Sequence, residues 1–242
     1  MNTTKEESLA GRKSAAEGST STGEMEKVSG LRRIEHFGSD EMNGLCMELT
    51  HAVYPHDEVH GTYCTLREYI DCPPDAVYEY LSNLYSLEEW TWSTRRFSAP
   101  DANGVAVGVD LLAPDTRIFC RVESNAEART VDYHCAWDQG DTLWMIYLMR
   151  VIPAETVLNK PGSVVIWTNC RHPYYDENPY PKTAPSTRPV WVGDLWPMFY
   201  AGHLVELQNL KAILEHRHAR GLDVGPYVAG PDSRAKRSER AA

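Results

Sequence analysis

Two segments most constrain how this chain can fold: a short strand, helix and tryptophan-rich turn over 61–99, and one long amphipathic helix over about 191–218. Between them the residues read as strands with almost no helix, so the closing helix has a curved sheet as its only large apolar partner. A sheet wrapped around one helix encloses a cavity.

The opening segment starts with Tyr63 to Ile70, rich in aromatic and β-branched residues, as a half-buried strand requires. Cys72-Pro73-Pro74-Asp75 stops that strand because proline cannot donate to a ladder. The same prolines suit entry into a helix, with Asp75 favourable in its first turn. Val77, Tyr80, Leu81 and Leu84 recur at helical spacing, and Leu87, Trp90 and Trp92 follow as the chain turns into a strand near Ser93 to Ala99. In the closing segment Asp194 is placed as the N-cap and Pro197 falls in the first turn. Leu195, Phe199, Gly202, Val205, Leu210 and Ile213 form one apolar strip; Tyr200, His203, Leu207 and Leu214 form an adjoining one.

The order strand, P-x-x-V-[YFW]-x-[YFL]-L at Pro74 to Leu81, downstream Trp90 and Trp92, then a long C-terminal helix resembles the START-related polyketide cyclase and aromatase superfamily (SRPBCC) over about residues 61–220. The resemblance implies an α+β helix-grip fold: an antiparallel sheet of about seven strands wrapped around the closing helix, with an internal cavity. The function it implies is a cytoplasmic cyclase, aromatase or dehydratase of secondary metabolism, acting without a cofactor on a small apolar or aromatic molecule. A non-catalytic carrier or sensor of a hydrophobic ligand is the alternative from another class.

The walls of the cup follow from the middle of the chain. Val105 to Leu112, Thr116 to Ser124, Arg129 to Asp138, Thr142 to Ile152 and Ser163 to Arg171 have strand length and content, separated by turn-forming residues such as Gln139-Gly140-Asp141 and Lys160-Pro161-Gly162. Alternation points Ile118, Cys120 and Val122, and then Tyr133, Cys135 and Trp137, toward the helix. Trp144 to Ile152 is apolar on both faces except at Arg150, so its outer face calls for cover by an N-terminal flap or by a second copy in a homodimer. Met42, Leu45, Cys46, Leu49 and Val53, at helical spacing, supply the flap candidate.

The expected organisation is a disordered tail over 1–28, an N-terminal extension over 29–60, the ligand-binding domain over 61–220 and a second disordered tail over 221–242. The six cysteines form neither C-x-x-C pairs nor a dense framework, which suits reduced, mostly buried thiols. A net charge of -10 disfavours nucleic acid, and no apolar run is long enough to span a bilayer.

Three constellations are candidates for chemistry. His51, His56 and His60 lie near Asp57 and Glu58, but Pro55 breaks any shared helical face and the spacing is not H-E-x-x-H, so no metal is expected. The proline-rich loop after Arg171 carries His172, Tyr174, Tyr175, Asp176 and Glu177 and borders the mouth of the cup. Arg171 either binds a ligand carboxylate or pairs with Asp176.

The third constellation is the expected lining. His203, Tyr200 and Tyr147 are the candidate catalytic groups: an imidazole to move protons, with Glu206 one turn on to orient it, and phenols to stabilise an enolate or phenolate. A hydrogen-bonded core histidine is the plain alternative for His203. Trp191, Asn169, Arg171, Trp92, Trp137, Phe199 and Tyr174 are the candidate substrate-binding residues. There is no G-x-S-x-G elbow, phosphate-binding loop or dinucleotide fingerprint.

Overall fold

Each strand alternates buried and open side chains with period two, and that period gives the sheet one core face. The computed structural model describes residues 23, 25, 27–53, 63–112, 115–137, 142–176, 195–196 and 198–227. Its strands are β1 (Tyr63–Ile70), β2 (Thr94–Arg95), β3 (Ala106–Asp110), β4 (Arg117–Asn125), β5 (Thr130–Trp137), β6 (Met145–Pro153) and β7 (Ser163–Cys170). They form one 7-stranded sheet in the order β1-β7-β6-β5-β4-β3-β2, with every neighbouring pair antiparallel. The closing helix, Phe199–Ala219, packs on its core face. This is the α+β helix-grip architecture.

The core face carries Val131, Tyr133 and Cys135 of β5 and Val165, Trp167 and Asn169 of β7, all buried. On the opposite face the hydroxyls of Thr65 and Thr168 meet across β1 and β7 at 3.0 Å. Pro74 opens the helix Pro74–Ser82, which lays Val77, Tyr80 and Leu81 into the core. A single 3-10 turn (Leu84–Ser86) and the short helix Leu87–Trp90 then bring Trp90 and Trp92 to the sheet.

Several boundaries differ from those expected. The second strand is only two residues long because Arg96 adopts φ 59, a left-handed conformation that ends extended pairing. Regular closing helix begins at Phe199 instead of near 191, and Asp194, the expected cap, lies outside the described residues. A helix over Ala154–Leu158 follows β6 and ends at Asn159 in the left-handed region, where the sequence reading had only a turn. Gly162 is required there: it has φ +102, and a Cβ would lie 2.7 Å from the Ile70 carbonyl oxygen.

The amphipathic helix expected as a flap forms over Ser39–Val53 but does not cover β6. Its Met42 and Cys46 pack with Ile34, Trp92, Ala201 and Val205, on the side of the closing helix turned away from the sheet. That side is apolar too and needs cover, which is the physical reason for the difference. Ile146 and Leu148 on the outer face of β6 stay 39% and 42% exposed.

The ends of the described chain are tied to the same helix. Arg217 and Glu89, both buried, pair at 2.9 Å. Tyr80 donates its hydroxyl proton to Glu89 at 2.8 Å, and the Tyr227 ring lies 3.8 Å from the Arg217 guanidinium. Met25 and Val28 are buried in the core, within the stretch read as tail. All six cysteines are free thiols, with Cys170 exposed and the others buried. Among the described residues no helix is long and apolar enough to cross a membrane.

Candidate functional site

Where the sheet curves away from the first turns of the closing helix, the two surfaces leave a cavity of about 140 Å³. The turn after Trp90 closes one side, and β3 to β7 supply the floor. Its walls are mainly aromatic: Trp90, Trp92, Phe97, Tyr133, Trp137, Tyr147, Trp167 and Phe199. Gly108 makes one of these placements possible, because a Cβ there would meet the Phe97 ring at 2.9 Å. Gly202 leaves open space on the helix side, where a Cβ would sit 3.7 Å from Trp92 Nε1.

Two carboxyl groups interrupt the aromatic wall. Asp110, at the end of β3, accepts hydrogen bonds from Leu112 N at 3.0 Å and Trp137 Nε1 at 2.9 Å. Burial pushes its carboxyl above the usual range against the pull of those bonds. Glu206 accepts from Trp92 N at 3.2 Å. Burial pushes it up to about 8; the Trp92 N–H pulls the other way, the Asp110 charge adds to the rise, and Arg95 opposes it. At neutral pH Glu206 is therefore mostly protonated, and it exchanges its proton close to neutrality.

Arg95 is held at the rim of this pair. It donates to Thr91 O at 2.9 Å and Thr94 O at 2.7 Å, while Glu35 receives its Nε at 2.5 Å and its Nη2 at 2.7 Å. Burial pushes the Glu35 carboxyl up, but its bonds to Arg95 and Arg33 and their charges outweigh burial and hold it at about 2. Ile34 N donates to Trp92 O at 3.0 Å, so the N-terminal segment also holds Trp92, the residue whose N–H reaches Glu206.

His203 lies on the cavity wall, its ring 4.4 Å from that of Trp167 and 5.4 Å from that of Tyr147. Burial lowers it to about 3, so it is a neutral imidazole through the neutral range. Its Nδ1 has no hydrogen-bond partner, and Glu206 spends its bond on Trp92 instead of orienting the ring. His203 and Tyr147 are half-buried and open to the cavity. Burial, together with the nearby Tyr175, raises the Tyr147 phenol well above its ordinary value, which keeps it a donor.

Of the other residues expected at the site, Trp92, Trp137 and Phe199 line the cavity. Tyr200 is half-buried against the core and is not a wall residue. Asn169 is buried opposite Tyr147 on the ladder, with its Nδ2 unpartnered, but lies off the wall. Arg171 pairs with Asp176 at 2.5 Å and lies 5.9 Å from the Trp196 ring. Tyr174 stacks with Trp144 at 5.5 Å and His172 at 4.5 Å beside the mouth. His51 is exposed on the N-terminal helix; His56, His60 and Trp191 lie outside the described residues. No cluster of His, Cys, Asp or Glu among the described residues has the arrangement of a metal site.

Asp110 was absent from the sequence reading, and Glu206 entered it only as an orienting group. Trp167 had a usable signal, since it shares strand parity with Asn169 and so faces the core. Cys120 and Cys135, paired across β4 and β5, also line the cavity.

No protein-family model matches this chain, and no curated protein matches it. Among solved structures it is similar to XoxI from Bacillus cereus, at 16% identity and a TM-score of 0.42 over 64% of this chain and 96% of that one. It is similar to BexL, a di-domain aromatase/cyclase of a biosynthetic pathway, at 14% identity and a TM-score of 0.44 over 62% of this chain and 45% of that one. A third likeness is DynU16, from the dynemicin biosynthetic locus, at 11% identity and a TM-score of 0.41 over 69% of this chain and 50% of that one.

Proposed function

We propose that this cavity is the substrate site of an enzyme of the cyclase, aromatase or dehydratase type, acting on a small apolar or aromatic molecule by acid/base chemistry. The observation that carries the reading is Glu206, a carboxyl on the wall of an aromatic cavity and poised near neutral pH. A group with that affinity for its proton can both give and take it under working conditions. Tyr147 would donate to a carbonyl oxygen as enolate or phenolate character develops, with His203 as a neutral hydrogen-bonding partner. The aromatic walls would hold the reacting carbons in register, so much of the acceleration would be positional.

The size of the cavity bears on the substrate. An apolar hole of about 150 Å³ takes a single benzene ring, and this cavity is about 140 Å³. A molecule near one ring in size fits it better than an extended chain. A carrier or sensor is the second reading, supported by the mainly apolar wall and the neutral His203.

Native mass spectrometry of protein from its own host would identify the bound molecule. With that molecule, or its precursor, Glu206→Gln should lower turnover at saturating substrate by ~10² or more. A loss of affinity without any turnover in the parent protein would favour the carrier. Full turnover in Glu206→Gln would remove this carboxyl from the mechanism.

A further inference from the structure

The two guanidiniums nearest the carboxyl pair, those of Arg33 and Arg95, are already committed to Glu35 and to backbone carbonyls. Among the described residues neither Lys nor Arg lines the cavity, and His203 is neutral there. The wall nearest the carboxyls is instead made of indole rings, Trp92 from the turn and Trp137 bonded to Asp110 itself. Carboxyl groups beside aromatic rings suit an organic cation, which gains an ion pair with a carboxylate and attraction to any ring face it reaches. The same surroundings repel an anion.

We propose that the cavity takes a one-ring apolar ligand bearing a protonated amine, with the ammonium group against Glu206 and Asp110 and the ring among the tryptophans. This rests on the reading of the cavity as the ligand site and narrows it to a basic nitrogen. It differs from the neutral carbonyl compound that the fold alone would suggest. Binding is coupled to a proton. Glu206 is protonated in the empty cavity, and an ammonium beside it stabilises the carboxylate, so the proton leaves as the amine enters. The titratable groups facing Glu206 are Asp110 of β3, Arg95 of β2, Cys135 of β5, Tyr147 of β6, His203 on its own helix and Cys46 of the N-terminal helix. Arg95 among them is fixed by Glu35.

Titration calorimetry of the full chain at pH 7 with benzylamine, benzyl alcohol and benzoate tests this, because the three share a ring and differ in charge. Benzylamine should bind about ten-fold or more tighter than benzyl alcohol, benzoate should not bind, and buffers of different ionisation enthalpy should report nearly one proton released per amine. Glu206→Gln should bring benzylamine to the level of benzyl alcohol while leaving the alcohol unchanged, which also shows that the variant is folded. If the alcohol or benzoate binds best, or if the glutamine variant keeps the preference for amine, the inference is wrong while the cavity remains the ligand site. If none of the three binds, the reading of the cavity fails together with it.

Discussion

Replacing Glu206 by glutamine should change the pH dependence of stability in a direction and by an amount the structure sets. In the unfolded chain this carboxyl ionises near its ordinary 4.5; in the folded protein it holds its proton to about 8. Between those values the unfolded state binds fewer protons than the native one, so stability falls as pH rises from about 4.5 to about 8 and levels off beyond. Stability from this group is fully present below the lower value and lost above the upper one. At ~1.4 kcal/mol per pH unit the whole loss is on the order of 5 kcal/mol. About 3 kcal/mol of it is gone by pH 7.

Glutamine has nearly the same shape, retains an oxygen for Trp92 N, and does not ionise. Urea unfolding of parent and Glu206→Gln at intervals from pH 4 to pH 9 gives two curves whose difference isolates this side chain from every other titrating group. The parent should lose stability relative to the variant by several kcal/mol across that range, with most of the change below pH 8. A difference that stays flat to within about 1 kcal/mol would mean that Glu206 is ionised and well solvated in the native protein. The acid/base role and the proton-coupled binding would both lose their basis.

Three further outcomes follow from other parts of the molecule. Arg217→Met removes the guanidinium that pairs with the buried Glu89 carboxylate and should cost about 3–5 kcal/mol by urea unfolding, with part of that loss recovered when Glu89→Gln is added. Gly202→Ala puts a methyl group at ordinary contact distance from Trp92, so it should raise stability by about 0.5–1 kcal/mol while weakening binding of any ligand that fills the cavity, as thermal unfolding and calorimetry would report. Glu35→Gln removes the charge that neutralises Arg95 and should lower the titration of Glu206 below its value of about 8, visible in the carboxyl carbon shifts of a glutamate-labelled sample; an unmoved titration would rule out charge coupling between the two.

The wall was legible wherever a periodic pattern decides orientation. Strand alternation aimed Tyr133, Cys135 and Trp137 inward, and helical spacing put Phe199 and His203 toward the sheet. Helical spacing also grouped Tyr200 with His203, but Tyr200 lies about 100° around the helix from Phe199, and the cavity takes Phe199 and His203 without it. The carboxyls were not legible for a different reason. An aspartate closing a strand and a glutamate in a helix read as solvated groups, because their burial comes from partners far away in sequence: Trp137 for Asp110 and Trp92 for Glu206. The Ser39–Val53 helix was legible as an element, but not its docking site, since two apolar surfaces competed for it and only packing decides between the closing helix and β6.

The same contacts explain why the two carboxyls do not behave alike. Asp110 accepts from a backbone N–H, an indole N–H and the Ser93 side chain, and these bonds resist the effect of burial. Glu206 accepts from Trp92 N alone among the hydrogen bonds recorded for it, and Asp110 is close enough to oppose its ionisation. Desolvation is the largest influence on Glu206, and one N–H with a distant guanidinium does not cancel it. The proton therefore rests on the helix carboxyl, on the wall that a ligand would touch, while the strand carboxyl anchors the indole beside it. The N-terminal segment completes the arrangement from outside the sheet and helix. Glu35 occupies Arg95, Ile34 holds the Trp92 carbonyl, and without either one the surroundings of Glu206 would change, although neither residue belongs to the cavity wall.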